Sequence, residues 1–264
     1  MKTIVLLTDF GNQDHFVGVM KGVIYSITPY VNIIDLCHEI PIGNITKAAL
    51  VLKNSFKYFP KESVFVVVVD PGVGSDRKKL LIKTDKYYFV GPDNGVFSYT
   101  LENSKIIKII ELTNDKYWLK PISNTFHGRD IFSPIAAYII NGINIMNFGN
   151  EINSYKRLPF INPEFNKNEI LGKIIDIDKF GNLISNISID FLNKYLKVNK
   201  DKYLIEISNK IIYGIKDFYS EVKQGEPIVL VGSTGMLEVS IYMNNASIIL
   251  DTKINDPIKI KTML

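Results

Sequence analysis

Short apolar runs alternate with segments of helical period along the amino-terminal part of the chain, and no other feature constrains the fold as tightly. Ile4 to Leu7 is a β-branched-rich run. Asp14 to Thr28 follows, with apolar residues at Phe16, Val17, Met20, Val23, Ile24 and Ile27, a spacing that predicts a helix. A second strand is expected at Val31 to Leu36, a second helix around Ile45 to Phe59 ended by Pro60, and a third strand at Val64 to Val69 ended by Asp70-Pro71-Gly72. Strand, helix, strand, helix, strand is the pattern of an α/β layer on a mainly parallel sheet, because parallel strands need crossover connections and are buried on both faces. Leu80 to Thr84, Tyr87 to Val90 and Ile106 to Leu112 read as further strands. Asp130 to Ile140 reads as a helix that tolerates Pro134 in its first turn.

Between about Asn150 and Asn168 this pattern dissolves into Asn, Lys, Glu and two prolines, Pro159 and Pro163. The expected division is an α/β domain over 1–155, a linker over 156–168 and a smaller antiparallel, barrel-like β domain over 169–264. In the last of these, the apolar segments are short and bounded by Gly, Asn and Asp: Ile170 to Ile177, Leu204 to Ile207, Ile211 to Tyr213, Ile228 to Val231, Met236 to Ile241 and Ile248 to Leu250.

Composition excludes several function classes. The 264 residues are 46% apolar, enough to bury a substantial core. The 31 basic and 27 acidic side chains are interspersed, without the basic stripe of a nucleic-acid binder. No apolar run reaches the length of a membrane span or of a signal peptide core. A single cysteine, Cys37, cannot form an intrachain disulfide, and His15, His38 and His127 are too scattered for a metal-ligand pattern. The expectation is a soluble cytoplasmic protein without a metal, and without nucleic acid or membrane partners.

Ligands of an open α/β sheet bind outside the carboxyl ends of its parallel strands, so the polar residues just after each strand are the first candidates. Asp9 follows the first strand in Thr8-Asp9-Phe10-Gly11, and Asp70 follows the third in Asp70-Pro71-Gly72-Val73-Gly74. Each is either a ligand or a turn-forming residue. Neither a dinucleotide-binding glycine pattern nor a P-loop is present, and no G-x-S-x-G elbow offers a serine nucleophile. Cys37 beside His38 reads as a small hydrophobe at a strand end rather than a thiol nucleophile. His15 is expected to pack against or cap the first helix. His127, in Asn124-Thr125-Phe126-His127-Gly128-Arg129-Asp130, is a loop imidazole next to a glycine, placed either to meet a ligand or to tie down its loop. Asp178 with Phe180-Gly181-Asn182, and Gly232-Ser233-Thr234-Gly235, are polar turns of the second domain.

Taken together, these segments resemble the S-adenosyl-L-methionine hydroxide adenosyltransferases, relatives of the fluorinases and chlorinases. The resemblance is carried by Thr8-Asp9-Phe10-Gly11 with Asp14 and Met20-Lys21-Gly22; by Asp70-Pro71-Gly72-Val73-Gly74 with Arg77; by Gly91-Pro92-Asp93-Asn94-Gly95; by Phe126-His127-Gly128-Arg129-Asp130; and by Asp178 with Phe180-Gly181-Asn182. It spans nearly the whole chain. It implies hydrolysis of S-adenosyl-L-methionine to adenosine and L-methionine by in-line attack of water on the ribose C5′, with no cofactor. It also implies a homotrimer whose sites lie between neighbouring subunits. The family's triad falls on Asp70, Arg77 and His127. Asp9 takes the place of the ribose-diol ligand, and Asp14, Asp178 and Ser233 that of the ligands of the methionine end. Asn182 reads the adenine edge, Phe126, Phe180 and Tyr219 line the base, and Glu238 and Ala246 complete the substrate set. Two other readings use the same residues. One is 5′-halogenation, which an intact Asp70 disfavours by repelling a halide. The other is a non-catalytic sensor of S-adenosyl-L-methionine or adenosine, which would not need the triad.

Overall fold

A computed structural model describes residues 2–263, and the chain divides into two units that meet between Pro159 and Phe160. The first contains β1 (Thr3–Thr8), α1 (Phe16–Ile27), β2 (Asn32–Cys37), α2 (Ile45–Ser55), β3 (Val64–Val68), β4 (Lys79–Thr84), β5 (Tyr88–Pro92), α3 (Ser98–Leu101), β6 (Ile106–Leu112), α4 (Ser133–Ile140) and β7 (Gly149–Ile152). These strands form one sheet in the order β2-β1-β3-β5-β4-β6-β7. Pairing is parallel from β2 to β5 and antiparallel beyond it.

The apolar runs are continuous because alternate residues of one strand feed two cores. Ile4, Leu6, Val64, Val66 and Val68 pack with Val17, Met20 and Ile24 of α1 and with Ile135 and Ala136 of α4. Val5, Leu7, Phe65, Val67 and Val69 pack with Ala48 and Leu52 of α2 and with Phe97 and Leu101 near α3. Each fully buried aliphatic side chain contributes about 1.5–3 kcal/mol over exposure. A one-residue slip of register would exchange the two cores, so the register is strongly specified.

The helix ends follow local chemistry. Asn44 caps α2 by accepting from the Lys47 amide at 2.9 Å. His15 stands at the start of α1 without making a side-chain cap bond, and its exposed ring lies against Phe16 at 4.6 Å. The expected helix from Asp130 instead begins as a π-helical turn, Gly128–Phe132, that runs into α4 with Pro134 in the first α turn.

Leaving β1, the chain goes to β2 on one side and, by way of α2, returns to β3 on the other. The carboxyl ends of β1 and β3 therefore flank a topological switch point, the usual ligand crevice of such a sheet.

The second unit comprises β8 (Glu164–Asn166), β9 (Glu169–Ile177), β10 (Leu183–Ser188), α5 (Ile189–Tyr195), β11 (Tyr203–Ile207), β12 (Lys210–Tyr213), β13 (Pro227–Val231), β14 (Met236–Ile241), α6 (Ala246–Ile249) and β15 (Pro257–Thr262). Its strands run antiparallel in the order β12-β11-β15-β9-β10-β14-β13, with β8 added on β9. A bridge between Lys216 and Leu230 brings the two ends together, so the sheet is nearly a closed barrel around Ile174, Leu183, Ile205, Val239 and Ile260. Two local expectations are corrected. Ile248 to Leu250 is not a strand: Asn245 accepts from the Ile248 amide at 3.0 Å and caps α6 there. Glu164–Asn166, expected as linker, is a strand paired with β9.

Candidate active site

Asp70 lies two residues beyond β3, where Asp70-Pro71-Gly72-Val73-Gly74 reverses the chain through turns closed by Val73 N to Asp70 O (3.2 Å) and Ser75 N to Gly72 O (3.2 Å). The reversal brings Arg77, just before β4, back over Asp70. Arg77 Nε donates to Asp70 Oδ1 at 2.6 Å, and Nη2 donates to Oδ2, giving a two-pronged ion pair. The same Nη2 lies 3.0 Å from His127 Nδ1. Water is nearly excluded, with the Asp70 and Arg77 side chains only 4% and 9% exposed and His127 buried. The Arg77 guanidinium also sits 5.7 Å from the centroid of the Phe132 ring.

A guanidinium has no lone pair to accept with, so His127 Nδ1 is the acceptor and the neutral ring carries its proton on Nε2. Burial, then the positive charges of Arg77 and Lys79, hold His127 below its ordinary pKa of 6.5, against opposing pulls from Asp70 and Asp130. The imidazole is neutral near pH 7.

Two turns hold these groups. Gly74, at φ +80°, packs so closely on the His127 loop that a Cβ would lie 2.4 Å from the Asn124 carbonyl oxygen. Asn94, in the Gly91-Pro92-Asp93-Asn94-Gly95 segment, donates to the Val69 carbonyl at 2.8 Å, and Asp93 N donates to the Lys78 carbonyl at 2.9 Å. That segment thereby pins the residue before Asp70 and the residue after Arg77. The resemblance singled it out without assigning it a task.

Asp70 and His127 open onto a cavity of about 350 Å³ whose lining also includes Asp9, Phe10, Phe16 and Phe126. One oxygen of Asp9 accepts from the Gly43 amide at 2.8 Å, and the other keeps acceptor capacity. The three phenylalanine rings meet at centroid distances of 5.3–5.8 Å in tilted and edge-on arrangements that form an apolar wall. Phe126 is held from behind by Arg129, 5.2 Å above its ring. Arg129 is itself clamped to the fully buried Asp130 at 2.6 and 3.0 Å. A second hollow of about 390 Å³ touches Lys2, Lys83 and Tyr88 but none of the triad, so size alone does not identify a site. Asp14 stands exposed on the turn before α1 and does not line the cavity.

The remaining candidates lie in the second unit, on the turns before β10 and β14, on β14 itself, at the start of α6 and, for Tyr219, in the turn before β13. Asp178 closes a turn, accepting from the Phe180 and Asn182 amides at 2.8 and 2.9 Å and from the Asn182 side chain at 2.9 Å. Phe180 is 65% exposed at the tip of this turn. Gly181 packs on Asn245, next to the fully buried Ala246. Glu238 accepts from the Tyr219 hydroxyl at 2.6 Å and the Ser240 hydroxyl at 2.9 Å. Burial, then the bond to Glu238, pushes the Tyr219 hydroxyl well above its usual pKa and keeps it a donor. The Asp178 charge acts on Tyr219 in the same sense, and Ser233 tops the exposed turn whose Gly232 rests on Glu238. Among the described residues no group of three or more His, Cys, Asp or Glu side chains is placed to hold a metal ion, and no helix is long and apolar enough to cross a membrane.

Fold and site define a class: an α/β unit with a ligand-sized cavity at its switch point, followed by a nearly closed antiparallel β unit. Residues 4–149 match the N-terminal domain of the SAM hydroxide adenosyltransferases, and residues 172–259 match the C-terminal domain. The chain is 40% identical over 270 residues to an (R)-S-adenosyl-L-methionine hydrolase of Methanocaldococcus jannaschii, covering 97% of this chain and 95% of that protein. A protein of the same name from Thermus thermophilus is 29% identical, with 98% and 100% covered. A fluorinase of an Actinoplanes species is more distant, at 21% identity with 90% of each covered. The crystal structure of an uncharacterized conserved protein from Thermotoga maritima superposes with a TM-score of 0.91 at 37% identity, over 98% of this chain and 99% of that one. The chain belongs to the SAM hydroxide adenosyltransferase family.

Proposed function

We propose that the protein hydrolyses S-adenosyl-L-methionine to adenosine and L-methionine, water attacking C5′ of the ribose in line with the departing sulfonium. The observation that carries the reading is the buried Asp70, Arg77 and His127 constellation beside a cavity that also presents Asp9 and an aromatic wall. The sulfonium is already an excellent leaving group and departs as a neutral thioether. Water, with a pKa of about 15.7, is the weak partner. The residues must therefore favour hydroxide character on one trapped water, and no acid is needed for the leaving group.

Arg77 supplies the fixed positive charge, which acts strongly because water is nearly excluded around it. Both oxygens of Asp70 are engaged by that guanidinium, so Asp70 orients it and balances its charge. His127, neutral and buried, takes up the proton at Nδ1, its one lone pair in this tautomer, as that nitrogen gives up its contact with Arg77 Nη2. Asp9 accepts the ribose hydroxyls, and Asp14, Asp178 and Ser233 take the methionine end. Asn182 reads the adenine edge between Phe126, Phe180 and Tyr219, with Glu238 and Ala246 completing the substrate set. The proposal includes a cytoplasmic homotrimer with sites shared between subunits, needing neither metal nor cofactor. A carboxylate at Asp70 disfavours a halide nucleophile.

Turnover in heavy-oxygen water tests this directly. The expected result is equimolar adenosine and L-methionine, with the label in the adenosine 5′-hydroxyl. Folded protein that binds S-adenosyl-L-methionine and releases no adenosine would be a sensor instead, and a 5′-halogenated nucleoside formed in halide salts would establish the halogenation reading.

A further inference from the structure

His38, just past β2, is 3% exposed and takes no part in the chemistry above. Its Nδ1 lies 2.8 Å from Thr8 Oγ1, and its Nε2 lies 3.1 Å from Asp35 Oδ1. Asp35 in turn holds Lys21 Nζ at 2.5 Å. The Nε2 approach is bent away from a linear hydrogen bond, so its effect is electrostatic: a carboxylate opposite Nε2 favours the ring proton on that side. Nδ1 is then the acceptor and the Thr8 hydroxyl the donor. Thr8 Oγ1 also lies 3.3 Å from the Phe10 amide, from which it accepts, while the main-chain oxygen of His38 accepts from Gly11 N at 2.8 Å. Gly11 adopts φ +67° to make that contact. One residue thus grips the loop on both sides of Asp9, through Thr8 and Phe10 before and after it and through Gly11 beyond.

We propose that His38 is a positioning residue for Asp9: the chain Lys21, Asp35, His38, Thr8 fixes the Thr8 to Gly11 loop so that the Asp9 carboxylate meets Gly43 and faces the cavity. The inference rests on the reading of Asp9 as acceptor of the ribose hydroxyls. It places the consequence of losing His38 in recognition of the sugar, and not in activation of the water.

The test compares kcat/KM for S-adenosyl-L-methionine with that for its 2′-deoxy and 3′-deoxy analogues. A carboxylate that accepts from the sugar hydroxyls gives a preference of roughly ten- to a hundredfold for the full substrate. In His38→Ala that preference is expected to fall toward one, while turnover of the deoxy analogues falls little. His38→Asn, whose amide oxygen can replace Nδ1 as acceptor, is expected to restore most of it. Thr8→Val, a buried near-isostere lacking the hydroxyl, repeats the loss and carries the test if His38→Ala does not fold. Asp9→Ala, which removes the acceptor, is measured alongside. If Asp9→Ala abolishes the preference while His38→Ala and Thr8→Val keep it and only lower the thermal midpoint, His38 is core packing and the proposal is overturned. If Asp9→Ala keeps the preference, the diol reading itself fails and takes the proposal with it.

Discussion

Replacing Arg77 by Met leaves the Asp70 carboxylate, 4% exposed, without its counter-charge. Removing one partner of a buried ion pair costs about 3–5 kcal/mol, whereas replacing both by apolar side chains of similar size is about neutral or stabilising. Arg77→Met is therefore expected to be much less stable than the wild type, and the double variant Arg77→Met with Asp70→Leu to recover most of the loss. The only tryptophan, Trp118, belongs to the first unit, so urea unfolding followed by its fluorescence reads the unit that holds the pair. With a slope of about 2 kcal/mol per molar urea, the single variant's midpoint falls by about 1.5–2.5 M. A second readout comes from the imidazole. Arg77 is, after burial, the largest cause of the lowered His127 pKa, so in Arg77→Met His127 titrates higher by NMR. An Arg77→Met midpoint within error of the wild type, or a double variant no more stable than the single, would refute the claim that this charge is desolvated and dependent on its partner.

Two further outcomes follow from the same geometry. If neutral His127 serves the reaction, kcat/KM is full near pH 7 and is lost as the pH falls through the lowered pKa. The acidic limb then has its midpoint below 6.5, and stability declines as the pH falls from about 6.5 toward that midpoint, because there the unfolded chain binds the proton and the folded one does not. His127→Gln flattens that limb and lowers kcat by about 10²–10⁴ with little change in KM, and a limb centred above 6.5 contradicts this. Gly74→Ala drives a Cβ onto the Asn124 carbonyl and adds left-handed strain, whereas Gly142→Ala in the same unit, at φ +81° with nothing within 4 Å, adds the strain alone. In urea unfolding the second is expected to lose about 1–2 kcal/mol and the first clearly more, with loss of turnover. Equal losses would show that the turn does not brace the His127 loop.

The first unit was legible because its central strands are buried on both faces, which turns each of them into an unbroken apolar run. The second was harder to read. Strand β10, Leu183–Ser188, carries Ser185 and Asn186, and β15 alternates isoleucine with lysine at Ile258, Lys259, Ile260 and Lys261, so neither reads as a run. Ile248 to Leu250 had the apolarity of a strand but is too short to show a period, and the cap at Asn245 decided for a helix. In the site, Asp9 and Asp70 were legible from their positions after strands. Arg77 was not, since an arginine before a strand looks like any surface cation until the turn folds it back, and only the family resemblance pointed to it. His38 stayed hidden because its partners come from β1, β2 and α1, and sequence spacing carries no trace of that meeting.

Asp70 and Arg77 are seven residues apart, but Arg77 and His127 are separated by 50. At synthesis rates of about 5–20 residues per second, the imidazole leaves the ribosome about 2.5–10 s after the guanidinium. A growing chain therefore carries the matched charges before it carries the imidazole that meets them. Truncated or stalled products ending between the two hold the ion pair without its imidazole, and the three groups come together only in a nearly finished first unit.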